Sequence, residues 1–245
     1  MNGLDLFSGI GGLSLALSEW VRPIAYCEIE PYCQSVLLSR MAEQKIQESP
    51  IWDDIRTFPA NEFVGLGDII YAGFPCQGIS VAGLGKGLKD ERSGLFFEIV
   101  RLAKEIKPRF IFLENSNVIP TRVGKQIIES LTGIGFSCRW IVKEAREEGA
   151  FHIRKRWYCL AYANGESSAE TNKKTEPLKS EERTWLRSSR QNRGNLSRIY
   201  WQENKSPILG MDDVIPFRVD RARALGNSIC VEQTRKAFKE LMGID

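Results

Sequence analysis

The chain has 245 residues but no apolar run near the roughly 20 needed to span a bilayer. Its start, Met1-Asn2-Gly3-Leu4-Asp5, lacks the basic stretch that opens a signal peptide. The expectation is a cytoplasmic protein, neither secreted nor membrane-embedded. Histidine is nearly absent, with His152 alone, and the six cysteines are scattered without a C-x-x-C pair. A zinc site would need almost all its ligands from distant thiols, and a cytosolic setting disfavours a disulfide framework, so no metal site is expected. A large charge surplus is missing too: 34 Lys and Arg against 31 Asp and Glu leave +3, which permits nucleic-acid binding without arguing for it. What is present is ordinary globular composition, 42% hydrophobic and 27% charged, which excludes a disordered or fibrous chain. The length suits one large domain, or one domain and a small module.

From residue 1 to 163 short apolar runs alternate with amphipathic stretches. Strands are expected at Leu4–Phe7, Ile24–Cys27, Asp68–Ala72, Arg109–Leu113 and Trp157–Ala161. Helices are expected at Gly12–Trp20, from Pro31 to about Gln47, from Leu95 to Ile106 before Pro108, and at Val123–Leu131. This alternation predicts an α/β domain with a mainly parallel sheet and helices on both faces. Residues 164–208 change character: from Asn164 to Ser206 there are nine basic and six acidic residues, three aromatics (Trp185, Tyr200, Trp201) and no aliphatic period. The segment reads either as a solvated insert or as an element that puts guanidinium groups on phosphates. Residues 209–245 recover helical patterning from Arg221 to Leu241 and should return to the main domain.

Four strand ends carry candidate chemistry. Phe7-Ser8-Gly9-Ile10-Gly11-Gly12 follows the first strand and opens the first helix, where backbone amides can approach a ligand closely. It is not a G-x-G-x-x-G fingerprint, because Ser14 occupies the third glycine position. Glu28, just past the second strand, stands where an acid can accept hydrogen bonds from ribose hydroxyls. The pair suggests a nucleoside-bearing cofactor, and a tight turn without a ligand stays open. Gly73-Phe74-Pro75-Cys76-Gln77 follows the third strand at the ligand-binding edge of such sheets. Cys76 is either an inert buried thiol or, beside Glu114-Asn115 on the next strand end, one half of a nucleophile and proton-donor pair. His152-Ile153-Arg154-Lys155-Arg156 is either a surface basic run or a pair of guanidinium groups at alternate positions leading into a strand, so that they share one face.

Taken in order, Asp5 to Gly12, Gly73 to Gln77, Glu114-Asn115, His152-x-Arg154-x-Arg156 and Ala224-Leu225-Gly226-Asn227-Ser228 resemble the successive motifs of DNA (cytosine-5)-methyltransferases. The match covers about residues 3–163 and 209–240. The resemblance implies the class I S-adenosylmethionine-dependent methyltransferase fold plus a small polar insert. It implies Cys76 as the nucleophile on carbon-6 of cytosine, Glu114 at ring nitrogen-3 and the exocyclic amine, and Arg154 and Arg156 at the carbonyl oxygen. Its cofactor would be S-adenosyl-L-methionine, held by Phe7, Gly9, Gly11, Gly12, Glu28, Ile29, Asp54, Ile55, Pro75, Asn227 and Ser228. Ser80 and Arg92 would meet the DNA backbone, and Arg183, Arg187, Arg190 and Arg193 of the insert would also contact DNA. The implied partners are double-stranded DNA and a cognate restriction endonuclease. The implied setting is a monomer in the cytoplasm of a bacterial or phage-infected cell.

Departures from the family pattern are Ser116 in place of the usual valine, Cys230-Val231-Glu232 in place of a proline-containing stretch, and His152 where many members have glutamine. None removes a catalytic group. The competing readings are an RNA methyltransferase with the same Cys76 chemistry, a silent DNA-binding relative, and a nicotinamide-dependent oxidoreductase. Intact Cys76, Glu114 and Arg156 argue against the second. Ser14, and the lack of any use for Pro75-Cys76-Gln77, argue against the third.

Overall fold

The computed structural model describes residues 1–75, 93–150, 153–165, 220, 224–226 and 228–244. Central strands of a parallel sheet are buried on both faces and so read as continuous apolar runs. Ile69-Ile70-Tyr71-Ala72 and Phe110-Ile111-Phe112-Leu113 are such runs, and every one of these residues is buried. The strands are β1 (Asn2–Leu6), β2 (Arg22–Cys27), β3 (Ile51–Trp52), β4 (Ile69–Gly73), β5 (Phe110–Ser116), β6 (Phe136–Glu144) and β7 (Lys155–Ala163). They form one sheet in the order β3-β2-β1-β4-β5-β7-β6. The pairings from β3 through β5 are parallel, whereas β7 runs antiparallel to both β5 and β6.

The helices are α1 (Gly12–Leu17), α2 (Pro31–Ala42), α3 (Phe96–Ile106), α4 (Ile119–Arg122), α5 (Gly124–Thr132) and α6 (Val231–Met242). In α3, Phe96, Ile99, Val100, Ala103 and Ile106 recur at helical spacing and pack on the sheet with Ile127 and Leu131 of α5. Lys107 ends α3 in the left-handed conformation (φ 56°), just before Pro108. On the other face Leu13, Ala16 and Leu17 of α1 meet Ala237, Phe238 and Leu241 of α6. Phe238 stands edge-on to Phe112, with centroids 5.1 Å apart. Helices thus cover both faces of a mostly parallel sheet, as the alternation predicts. Among the described residues no helix is long and apolar enough to cross a membrane.

Several boundaries differ from expectation. Phe7 lies beyond β1 with a positive φ of 55°, so the chain has already turned where a strand was expected. Helix α1 stops at Leu17 and α2 at Ala42, well short of Trp20 and Gln47. The helical stretch expected from Arg221 is interrupted: residues 220 and 224–226 are helical, Ser228, Ile229 and Cys230 are not, and α6 starts at Val231. β3 and β6 were not anticipated. Residues 166–219, which include most of the insert expected at 164–208, lie outside the described residues, as do residues 76–92, which begin within the Gly73–Gln77 motif.

Candidate active site

The order 3-2-1-4-5 reverses direction between β1 and β4, the position where open α/β sheets bind ligands beyond their strand carboxyl ends. Two motifs leave the sheet there. After β1, Gly9 and Gly11 take positive φ values of 53° and 80°, a conformation glycine adopts without a Cβ penalty. Ser8 anchors the turn, its hydroxyl donating to the Asp5 carbonyl at 2.7 Å and its amide to the Cys27 carbonyl at 3.0 Å. Arg40 of α2 donates to the Ile10 carbonyl. Glu28 is buried (7% exposed), accepting from the Gly9 amide at 2.6 Å through Oε2 and from the Glu30 amide at 2.8 Å through Oε1. Burial raises its pKa, against the pull of those two amides. Beside it Ile29 (57% exposed) and Trp52 (39%) present apolar surface, and a Cβ at Gly9 would stand in open space. Bare backbone, a carboxylate and exposed apolar side chains form a cradle that fits an adenosine-bearing cofactor.

Asp54 differs from the others. Its carboxylate takes the Arg56 guanidinium in a fork (2.9, 3.0 and 2.7 Å) and the Arg56 amide at 3.0 Å, which lowers its pKa. A ligand amine there must share the carboxylate with Arg56. Ile55 is buried in the core. Phe7 is partly buried against the same core cluster, and Gly12 packs so closely on Ile229 that a Cβ would come within 2.7 Å of it.

The second group gathers at the carboxyl end of β5. Because β7 is antiparallel to β5, its first residues, not its last, lie at this edge: Ser116 pairs with Arg156 and Glu114 with Tyr158. The sheet topology therefore brings Arg156 to Glu114, with Nε 3.0 Å from Oε1. The contact has the distance of an ion pair but not a hydrogen-bond alignment, so Oε1 lacks an aligned donor among the described residues. Burial pushes the Glu114 pKa up, and Arg156 and then Arg154 oppose it. Arg154 donates to the Ser228 carbonyl, tying the last motif to the same edge. Gly73 pairs with Glu114 across β4 and β5, and a Cβ there would lie 3.3 Å from Glu114 Oε2. Asn115 Nδ2 donates to the Phe74 carbonyl at 3.0 Å, fixing the strand end that leads through Pro75 to residue 76. Cys76, Ser80, Arg92, His152, Asn227, Arg183, Arg187, Arg190 and Arg193 lie outside the described residues.

The residues matched by the family model for C-5 cytosine-specific DNA methylases are 1–211, most of the chain. The chain belongs to this family. Type II methyltransferase M.CviJI of Paramecium bursaria Chlorella virus IL3A is 31% identical over 239 residues, covering 97% of this chain and 58% of that protein. Type II methyltransferase M.HhaI of Haemophilus parahaemolyticus is 32% identical over 170 residues, covering 66% and 49%. The chain thus spans about half the length of the curated relatives it matches. The Entamoeba histolytica methyltransferase EhMeth superposes with a TM-score of 0.55 at 20% identity, covering 66% of this chain and 52% of that one; it supports the fold alone.

Sequence reasoning passed over one buried group at this methylase edge. Asp5 is fully buried below the glycine turn, accepting from Ser14 Oγ at 2.5 Å, while Ser14 Oγ also meets Tyr71 OH at 2.8 Å. Burial pushes its pKa up to about 7, more than the Ser14 bond lowers it. A raised carboxyl pKa means stability is fully present below about pH 3.8 and is lost as pH rises through about 7. Asp5→Asn, which never ionises, should remove that decline. Relative to wild type it should gain on the order of 4 kcal/mol at most at pH 8. Urea unfolding at pH 5 and pH 8 measures this; equal losses in both proteins would assign the decline to another group.

Proposed function

We propose that the chain transfers a methyl group to carbon-5 of cytosine in double-stranded DNA, with Cys76 as nucleophile, Glu114 as proton carrier and Arg154 and Arg156 as positioning cations. The observation that carries this reading is the buried Glu114 carboxylate, held against Arg156 one strand away from the Pro75 end of β4. Carbon-5 of cytosine is too poor a nucleophile to take a methyl group unaided. Addition of the Cys76 thiolate to carbon-6, with a proton supplied by Glu114 at nitrogen-3, turns the ring into an enamine. Burial raises the Glu114 carboxyl pKa and so favours the protonated form, which is the form this step needs. Arg156 is close enough to orient Glu114 and to stabilise charge on the carbonyl oxygen. The base must leave the helix stack to reach a strand-end site, at a cost of a few kcal/mol.

S-adenosyl-L-methionine would supply the electrophilic methyl group from a positively charged sulfonium. Glu28 and Ile29 would hold its ribose and adenine, with Asp54 and Ile55 at the adenine edge and Phe7, Gly9, Gly11, Gly12, Pro75, Asn227 and Ser228 around the rest. Glu28→Ala should weaken S-adenosylmethionine binding by about 1.5–3 kcal/mol, read by calorimetry. Unchanged affinity would move the ribose contact to another acid. Residues 1–163 would carry catalysis, 164–208 target recognition and 209–245 the return to the catalytic domain. Ser80, Arg92 and the insert arginines, Arg183, Arg187, Arg190 and Arg193, would contact DNA. The type II relatives support a cognate restriction endonuclease as a further partner.

Bisulfite sequencing of DNA from cells expressing the chain, against an empty-vector control, tests activity and reads the target together. Protection of cytosines at one recurring motif is the expected result. Methylation of tRNA but not duplex DNA by the purified protein would overturn the DNA assignment in favour of RNA.

A further inference from the structure

Helix α6 packs on the sheet through apolar residues, with two exceptions in its first turn, Gln233 and Thr234, both fully buried. Thr234 Oγ1 is 3.1 Å from Tyr158 OH, an ordinary satisfied pair. Gln233 does something different. Its Nε2 donates to the Lys143 carbonyl of β6 and to the Arg154 carbonyl just ahead of β7, both at 2.8 Å. Two carbonyl acceptors fix the amide orientation, since the flipped amide would turn its oxygen on both. The Arg154 carbonyl also accepts from the Ala145 amide at 3.0 Å, beyond the last β6–β7 pair at Glu144 and Lys155. The side chain therefore acts as an extra cross-link where the two strands separate.

The two residues that the separating strand presents to the active-site edge are Arg154 and Arg156. Arg154 reaches the Ser228 carbonyl, three residues before α6, and Arg156 reaches Glu114. The same C-terminal stretch presses Ile229 on Gly12 of the cofactor turn. Glutamine carries a cost here that sets against its two bonds. Its Oε1 is buried without a donor among the described residues, a cost that leucine or methionine would avoid.

We propose that Gln233 is a positioning residue that holds the start of β7 so that Arg156 stays on Glu114 and Arg154 on the Ser228 carbonyl. This deepens the function proposed above and rests on it for the role of Glu114. Gln233 touches no reacting group; it acts through the Arg154 backbone.

Three measurements on Gln233→Leu test the proposal in the full chain. The first is the Glu114 carboxyl titration by carbon-13 NMR, assigned with Glu114→Gln. Loss of the clamp lets the guanidinium groups drift, and because they oppose the burial of Glu114, its midpoint should move upward by about half a unit or more. The second is methyl transfer to duplex DNA, where kcat should fall about tenfold or more while KM for cofactor and DNA stays within about twofold. The third is thermal unfolding, where a cooperative transition with a midpoint only modestly lowered is expected, since two buried hydrogen bonds are lost while the donorless Oε1 is removed. Should the leucine variant fail to fold, Gln233→Met, of the same length and unbranched, takes its place. An unmoved Glu114 titration and unchanged kcat would overturn the proposal, whatever the unfolding midpoint. If wild-type protein transfers no methyl group but the titration still moves, the positioning role stands and the methyltransferase reading fails.

Discussion

Cys76→Ser should reduce methyl transfer by about 10³-fold or more, at least ~4 kcal/mol of barrier, while leaving S-adenosylmethionine affinity unchanged. The separation follows from where the two motifs leave the sheet. The proposed cofactor cradle is built on the β1 turn and Glu28, whereas residue 76 follows Pro75 beyond the end of β4. That end is held independently, by the Asn115 bond to the Phe74 carbonyl and by Phe74 packing on Phe96 with centroids 5.5 Å apart. Serine fits wherever cysteine fits, but its hydroxyl ionises far less readily than a thiol of pKa about 8.5. It therefore supplies almost no anion for addition to carbon-6. Radiolabelled methyl transfer to duplex DNA reads the first effect and calorimetry the second. Serine turnover within tenfold of wild type would remove Cys76 as the nucleophile.

Much of this edge was legible from residue order because strand ends and glycine turns leave local signals. β4 and the apolar part of β5 announce themselves as continuous buried runs, and Phe7 to Gly12 announces the turn between β1 and α1. β6 was illegible for a physical reason. It is an edge strand, so Ser137, Arg139 and Lys143 stand among its apolar residues, and Trp140 (48% exposed) and Val142 (41%) face solvent. No buried run forms, and its alternation is too broken to separate from a loop. The two-residue β3 is too short to carry any period. The strand at Trp157–Ala161 was legible as β7 but its antiparallel direction was not, since direction is a property of the sheet, and that direction explains how Arg156 reaches Glu114. The Arg56 fork on Asp54 and the Gln233 clamp are likewise contacts of the folded chain. Neither side chain belongs to a motif that spacing could single out.

Glu114→Gln should cut kcat/KM by about 10²–10⁴-fold and change the shape of the pH profile. Two groups set that profile in opposite senses. In the proposed reaction Cys76 must lose its proton to attack, so its contribution rises with pH. Glu114 must hold a proton for nitrogen-3, so its contribution falls as pH climbs through its raised pKa. In wild type the product of the two declines at alkaline pH once the thiol is fully ionised. Glutamine can donate an N–H but cannot release a proton, so the variant's low rate should rise with pH and then level, without an alkaline decline. Stability separates this from a damaged fold. A carboxyl whose folded pKa is raised stabilises the protein fully below its unfolded value and loses that contribution as pH rises through the folded value. At pH 8 the glutamine variant should therefore unfold at or above the wild-type temperature, provided Arg156, left beside a neutral amide, remains solvated at its 24% exposed side chain. A variant with full activity, or with the wild-type alkaline decline, would mean that the proton at nitrogen-3 comes from elsewhere. The buried carboxylate would then serve only to anchor Arg156 at the end of β5.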